Sequence, residues 1–232
     1  MTFSGYILSR TQMSGGFCTC VGMKIGEEWV QRRLQKPYGG PLDFRQLPQR
    51  YAWLQANWTV GRVVQFREVS TGTTPRPTHP EDLWVDPTSV QLMNSVGDRA
   101  GLLRLIDKFT FDDIAALYPG IGATSDRYLL AEPHPRSVGY VRRVQGRIYA
   151  LQKFGKRSLR AYLSDASGLS LGNVPVNGVE LIERLQGLLL GGNYAFANAT
   201  ARFSLANPWR PDGAPGDVPL KCYIQLSDIV TP

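Results

Sequence analysis

Strand-like alternation of apolar and polar residues constrains this chain more than any other feature. It is most informative in residues 137–163, SVGYVRRVQGRIYALQKFGKRSLRAYL. In 158–163 the apolar residues Leu159, Ala161 and Leu163 alternate with Ser158, Arg160 and Tyr162. Successive strand side chains point to opposite faces, so Arg160 and Tyr162 share the outer face of any sheet built here. The stretch reads as three strands with two tight connections. It carries Arg142, Arg143, Arg147, Lys153, Lys156, Arg157 and Arg160 with no Asp or Glu, interleaved with Tyr140, Tyr149, Phe154 and Tyr162. A basic, aromatic sheet face offers cations to phosphates and rings to bases. The same pattern also suits an antiparallel hairpin with solvated charges.

At 232 residues the chain is long enough for one large domain or two small ones. Hydrophobic residues make up 43% and charged residues 19%, enough to bury a core. Lys and Arg number 26 against 19 Asp and Glu, a net charge of +7 that favours polyanionic partners. Cys18, Cys20 and Cys222 cannot all pair, and Cys18 and Cys20 lack the CxxC spacing of zinc or redox sites. Buried free thiols are expected. The two histidines, His79 and His134, each precede a proline and do not cluster with the cysteines, so neither a metal nor another cofactor is expected. The N-terminus lacks the basic and apolar regions of a signal peptide, and no apolar run approaches about 20 residues. A cytoplasmic protein is expected, with no membrane partner.

In order, residues 3–9, 17–23 and 28–34 read as strands of a meander. Trp29, Arg32 and Arg33 form an aromatic and basic cluster in the third. Residues 36–48 read as loop, 50–57 as a short helical turn, and 59–68 as a strand with Val60, Arg62, Val64 and Phe66 on one parity. Three prolines interrupt 71–80. Between 95 and 118, Leu102, Leu103, Leu105, Ile106 and Phe109 recur at helical spacing. A second helix follows, capped by Thr110, with Asp112 and Asp113 in its first turn and Pro119–Gly120 as its stop. Beyond 163 the sequence predicts a short strand at 174–176, a helix over 179–190, a strand at 200–205 and an exposed loop over 207–219. The last strand, 220–229, places Cys222, Ile224 and Leu226 inward and Lys221, Tyr223 and Gln225 outward.

Four segments carry a resemblance: SRTQMSGGFCTCVGM (9–23), HPEDLW (79–84), FSLANPW (203–209) and CYIQLSDIV (222–230). Together they resemble the dual OB-containing domain family of bacterial proteins. The resemblance implies a mainly β (β+α) chain of two consecutive OB-like small barrels, with a role in binding nucleic acid beside conflict or antiviral defence systems. The expected layout is a first barrel over 1–94, a helical insert and linker over 95–135, and a second barrel over 136–232. OB barrels are five-stranded and bind oligonucleotides across strands 2 and 3 and the flanking loops.

Catalysis finds little support. Asp112 and Asp113 suit a helix start, and Glu81 with Asp82 suits side-chain-to-backbone bonding between elements. His79 suits a structural role in its loop. No GxxxxGK[ST], GxSxG or HExxH occurs. The expectation is a non-enzymatic module for single-stranded DNA or RNA, dominated by backbone contacts. Its candidate residues are Arg142, Arg143, Lys153, Lys156, Arg157, Arg160 and Tyr162 in the second barrel. In the first they are Trp29, Arg32, Arg33 and Arg62. The alternative is an adaptor that docks protein subunits of a multisubunit defence complex.

Overall fold

A computed structural model describes residues 1–13, 16–35, 57–69, 78–96, 99–121, 127–153 and 155–230. The chain divides into two compact units. One comprises Met1–Pro75 with Glu81–Phe109, the other Arg76–Pro80 with Thr110–Pro232. The helical region expected as an insert is therefore shared out. Its first helix belongs to the first unit, and everything from Thr110 onward belongs to the second.

The first unit contains β1 (Thr2–Met13), β2 (Gly16–Ile25), β3 (Glu28–Gln35), β4 (Arg62–Arg67), β5 (Asp82–Trp84) and β6 (Gln91–Val96). They run in the order β5-β3-β2-β1-β4-β6. All neighbours are antiparallel except β3 and β5, which are parallel. An antiparallel bridge between Glu68 and Val85 joins β4 to the end of β5 and closes the sheet on itself. One parity of each strand fills the interior with Ile7, Val21, Met23, Leu34, Val64 and Phe66. Trp58 joins them, its indole N–H donating to Thr19 Oγ1 at 2.8 Å. Helix α1 (Arg99–Lys108) follows the 3.6-residue period, burying Leu105 and Ile106. It approaches the outer side of β2 at Gly22, where a Cβ would stand 3.0 Å from Leu105 and 3.2 Å from Phe109.

The second unit contains β7 (Thr110–Phe111), α2 (Ile114–Leu117), β8 (Tyr128–Leu130), β9 (Val138–Lys153), β10 (Lys156–Ser164) and β11 (Ser170–Pro175). It continues with α3 (Val179–Leu185), β12 (Asn193–Leu205) and β13 (Lys221–Val230). Sheet order is β11-β10-β9-β12-β13-β8, with β7 beside β9. A parallel bridge from Val176 to Leu226 closes β11 onto β13. Closure requires β9 and β10 to touch at Gly146, where a Cβ would lie 2.2 Å from the carbonyl oxygen of Tyr162. Leu181 and Leu185 of α3 enter a core that includes Val144, Ile148, Leu159, Ala161, Leu163, Phe203 and Ile224.

Each unit thus has five principal strands. The first pairs with the second and the fourth, and the third runs parallel to the fifth. This is the Greek-key order of the OB barrel. In the second unit α3 occupies the connection between third and fourth strands, as that order allows. Strand β6 in the first unit, and β7 and β8 in the second, are additions.

Several local expectations are corrected. Residues 137–163 form two strands, not three, because β9 stays continuous through Gly146. The strand expected over 59–68 is Arg62–Arg67, preceded by a turn at Gly61, whose φ is +87°. Asp113, not Thr110, caps the second helix, accepting the Ala116 N–H at 2.7 Å, and the helix is a single turn. Asp82 pairs with a side chain, not backbone. His79 is buried, with Nδ1 2.8 Å from Thr78 Oγ1 and Nε2 3.2 Å from the Leu205 carbonyl oxygen, the structural role expected of it. Cys18, Cys20 and Cys222 are buried free thiols. The loop at 36–48, most of the turn at 50–57, and Phe154 lie outside the described residues. Among the described residues no helix is long and apolar enough to cross a membrane.

Candidate nucleic-acid interface

The register between β9 and β10 decides which of the basic residues converge. Lys153 pairs with Lys156, Leu151 with Ser158, Tyr149 with Arg160, Arg147 with Tyr162, and Gln145 with Ser164. Leu159, Ala161 and Leu163 point into the core, so these five pairs line the outer surface. Its centre is a crossed arrangement in which each strand contributes one ring and one guanidinium. Directly opposed side chains on antiparallel strands have Cβ atoms about 5 Å apart, so the four form one patch. Tyr162 is 49% exposed. Arg147, Tyr149, Tyr162, Gly192 and Asn193 line a shallow depression of about 310 Å³. Lys153 and Lys156 stand exposed at the hairpin tip, whose turn needs Gly155 at φ +72°.

Arg160 is electrostatically unusual. Burial first, and then the charge of Arg127, hold its guanidinium below the ordinary arginine range. Among the described residues neither Arg127 nor Arg160 forms an ion pair with a carboxylate. Two crowded cations favour an incoming anion.

The other sequence candidates lie elsewhere. Arg157 shares the parity of Leu159, turns away from Arg160, and donates from Nη1 to the Leu189 carbonyl at 2.6 Å. That carbonyl belongs to the 3-10 turn Gln186–Leu190 after α3. Arg142 pairs with Asp112 at 3.4 Å. Arg143 is exposed at φ +55°, where β9 gains a residue against β12 and the register shifts.

In the first unit, Arg33 is not available to a ligand. Its Nε and Nη2 reach Asp82 Oδ1 at 2.7 and 2.6 Å, with side-chain exposures of 5% and 3%. Burial works against its charge, but Asp82 prevails and the guanidinium pKa is raised. Arg32 donates to the Gln31 carbonyl at 3.1 Å, and Arg62 to Asn57 Oδ1 at 3.1 Å. Trp29 packs against Tyr6, their ring centroids 6.4 Å apart. These four do not assemble into one basic, aromatic face.

Other aromatic residues that sequence reasoning did not select cluster on β13, β8 and the loop before β13. Trp209, 48% exposed in the loop before β13, stands 6.1 Å from Tyr223, which is 5.7 Å from Tyr128. Outward parity in β13 marks Lys221 and Tyr223, but nothing local links them to Arg127 and Tyr128. Among the described residues, no group of three His, Cys, Asp or Glu side chains is placed to hold a metal.

No family model matches the sequence, and no curated protein matches it. Among solved structures, the chain is similar to one described as the crystal structure of the p204 HINb domain. The two share 11% identity over 96% of this chain and 95% of that one, with a TM-score of 0.36. So low a score adds no argument, and the fold assignment rests on strand order and the parallel pairing in each unit.

Proposed function

We propose that this protein is a non-enzymatic module that binds single-stranded nucleic acid across β9 and β10 of its second barrel, through backbone charge and base stacking. The observation that carries this reading is the paired register of Tyr149 with Arg160 and Arg147 with Tyr162 on one outward face. Single strands need stacking platforms spaced along a cationic track, and stacking tolerates any base. The track runs over strands 1 and 2 of this barrel and shares strand 2 with the strand 2–3 face on which OB barrels commonly bind oligonucleotides. The resemblance to dual OB-containing proteins favours service beside a bacterial defence or mobile-element system.

The test is fluorescence anisotropy with labelled single-stranded DNA, single-stranded RNA and duplex across a salt series. Arg147, Lys153, Lys156 and Arg160 would neutralise four phosphates. At about 0.7 per contact, the slope of log K against log salt is about −3. Affinity for single strands should then fall roughly 50-fold between 50 and 200 mM salt. Arg147→Glu should weaken binding, while Arg157→Glu should not. No binding at low salt, a loss under about fivefold across that salt range, or equal effects of the two variants would each refute the reading. The first result would leave the face open to a protein partner.

A further inference from the structure

Beyond the β9–β10 patch, the surface of the second unit opens into a cleft of about 530 Å³. It lies where β11 and β13, joined in parallel at Val176 and Leu226, separate toward their N-terminal ends. Arg127 spans the split. Its carbonyl accepts the Ile224 N–H at 2.9 Å on the β13 side, and its Nη1 donates to the Gly172 carbonyl at 3.2 Å on the β11 side. Lys221 sits on the same wall with Nζ 3.9 Å from the Tyr128 ring centroid, and the Arg127 guanidinium lies 5.9 Å from that of Tyr223. Among the described residues no Asp or Glu lines the cleft.

We infer that this cleft is a nucleotide-phosphate subsite, in which Arg127 and Lys221 hold one phosphate and Tyr223 and Trp209 flank the attached nucleoside. Two cations fixed over aromatic rings in a cleft form a preorganised anion site. The volume falls within the range of small-ligand pockets and suits one nucleotide. Arg160 links the two regions electrostatically: it pairs with Tyr149 in register and feels the charge of Arg127. For a bound strand the inference rests on the reading above, and the cleft would extend that strand's path by one nucleotide. The phosphate can come from a mononucleotide or strand end, or from an internal phosphodiester.

The experiment uses the full chain, Arg127→Gln and Lys221→Gln, each checked for folding by its thermal midpoint. Isothermal titration with adenosine 5′-monophosphate, adenosine and inorganic phosphate is run beside anisotropy with a single-stranded oligonucleotide, with and without a 5′-phosphate. Adenosine monophosphate binding at least tenfold tighter than adenosine, lost in both variants, establishes the mononucleotide or strand-end source. A matching preference for the 5′-phosphorylated strand establishes the end itself. No mononucleotide binding, but an oligonucleotide affinity lowered about tenfold in the variants with a salt slope shallower by about 0.7, establishes an internal phosphodiester. Oligonucleotide binding that ignores both substitutions, with no response to the mononucleotide, overturns the cleft and leaves the β9–β10 reading standing. Mononucleotide binding without oligonucleotide binding does the reverse. No binding of any probe overturns both.

Discussion

Removing the carboxylate of Asp82 should do far more damage than removing the guanidinium of Arg33. The two are cross-strand partners in the parallel pairing of β3 with β5. Strand β5 has only three residues, so few backbone bonds hold its register, and Asp82 Oδ1 gathers donors from Arg33 and Gln35. Both partners are almost wholly withdrawn from water. Asp82→Ala leaves a buried guanidinium that cannot shed its proton, and breaking such a pair costs about 3–5 kcal/mol. Arg33→Met leaves a carboxylate that keeps the Gln35 N–H and can take up a proton. It should cost about half as much. The double variant Arg33→Met/Asp82→Leu should return to within about 1–2 kcal/mol of the parent, because an apolar pair of similar volume often equals a buried ion pair.

The assay is denaturant and thermal unfolding followed by circular dichroism and tryptophan fluorescence. In a chain of this size each kcal/mol moves the thermal midpoint by about 2–4 °C, so Asp82→Ala should lower it by about 10 °C. Oligonucleotide affinity of folded Arg33→Met should stay within about twofold of the parent, since the buried guanidinium contacts no ligand. The reasoning is refuted if Asp82→Ala costs under about 1 kcal/mol. It is equally refuted if Arg33→Met is as costly as Asp82→Ala, or if Arg33→Met abolishes binding.

Gly178→Ala should cost at least about 3 kcal/mol and show as a lowered midpoint or insoluble protein, because the new Cβ would lie 1.5 Å from the Ser227 carbonyl oxygen. Asp86 accepts bonds from Arg67 and Thr88, which lower its pKa from 3.8 to about 2. A lowered carboxylate stabilises the fold above its unfolded pKa and loses that contribution as pH falls from about 4 toward 2. Asp86→Asn should therefore lower the midpoint at pH 6 and match the parent near pH 2, by an amount under about 1 kcal/mol given the exposure of Arg67. Tyr149→Ala and Tyr162→Ala should each cost about 1–3 kcal/mol of single-strand affinity, read by anisotropy, while the phenylalanine variants keep most of it.

How far the sequence carried depended on the range of the interaction. Alternation within 158–163 correctly separated Arg160 and Tyr162 from Leu159, Ala161 and Leu163, because strand parity is a local property. The same rule, applied one strand turn earlier, separates Arg157 from Arg160, yet charge density made them look like one site. Whether a hairpin tip ends one strand or a glycine interrupts it could not be read at Gly146, whose close approach to Tyr162 exists only once β10 is in place. Long-range pairing was invisible. Arg33 sits in a basic run, but its partner Asp82 is 49 residues away. Arg127 and Tyr128 reach Tyr223 only because β8 adds to β13 at the edge of the sheet.

The two barrels share a strand order but differ in the surfaces they present. In the first, the outward positions of strands 2 and 3 include Cys18, Cys20, Gln31, Arg33 and Gln35, all buried, while Lys24 stands exposed opposite half-buried Trp29 nearer the strand ends. The buried ones are spent on one another and on Asp82: Gln35 donates to Cys18 Sγ and Asp82, and Cys20 meets Gln31. Gly22 between them lies under Leu105 and Phe109. The first two strands of the second barrel present Lys156, Arg160 and Tyr162 beside Arg147 and Tyr149, and among the described residues none of these cations forms an ion pair with a carboxylate. A buried guanidinium satisfied by aspartate gains nothing from a phosphate, whereas a partly buried Arg160 beside the charge of Arg127 gains from an anion. The same five-strand order thus carries a largely self-satisfied buried face in one half of the chain and a basic, aromatic face in the other.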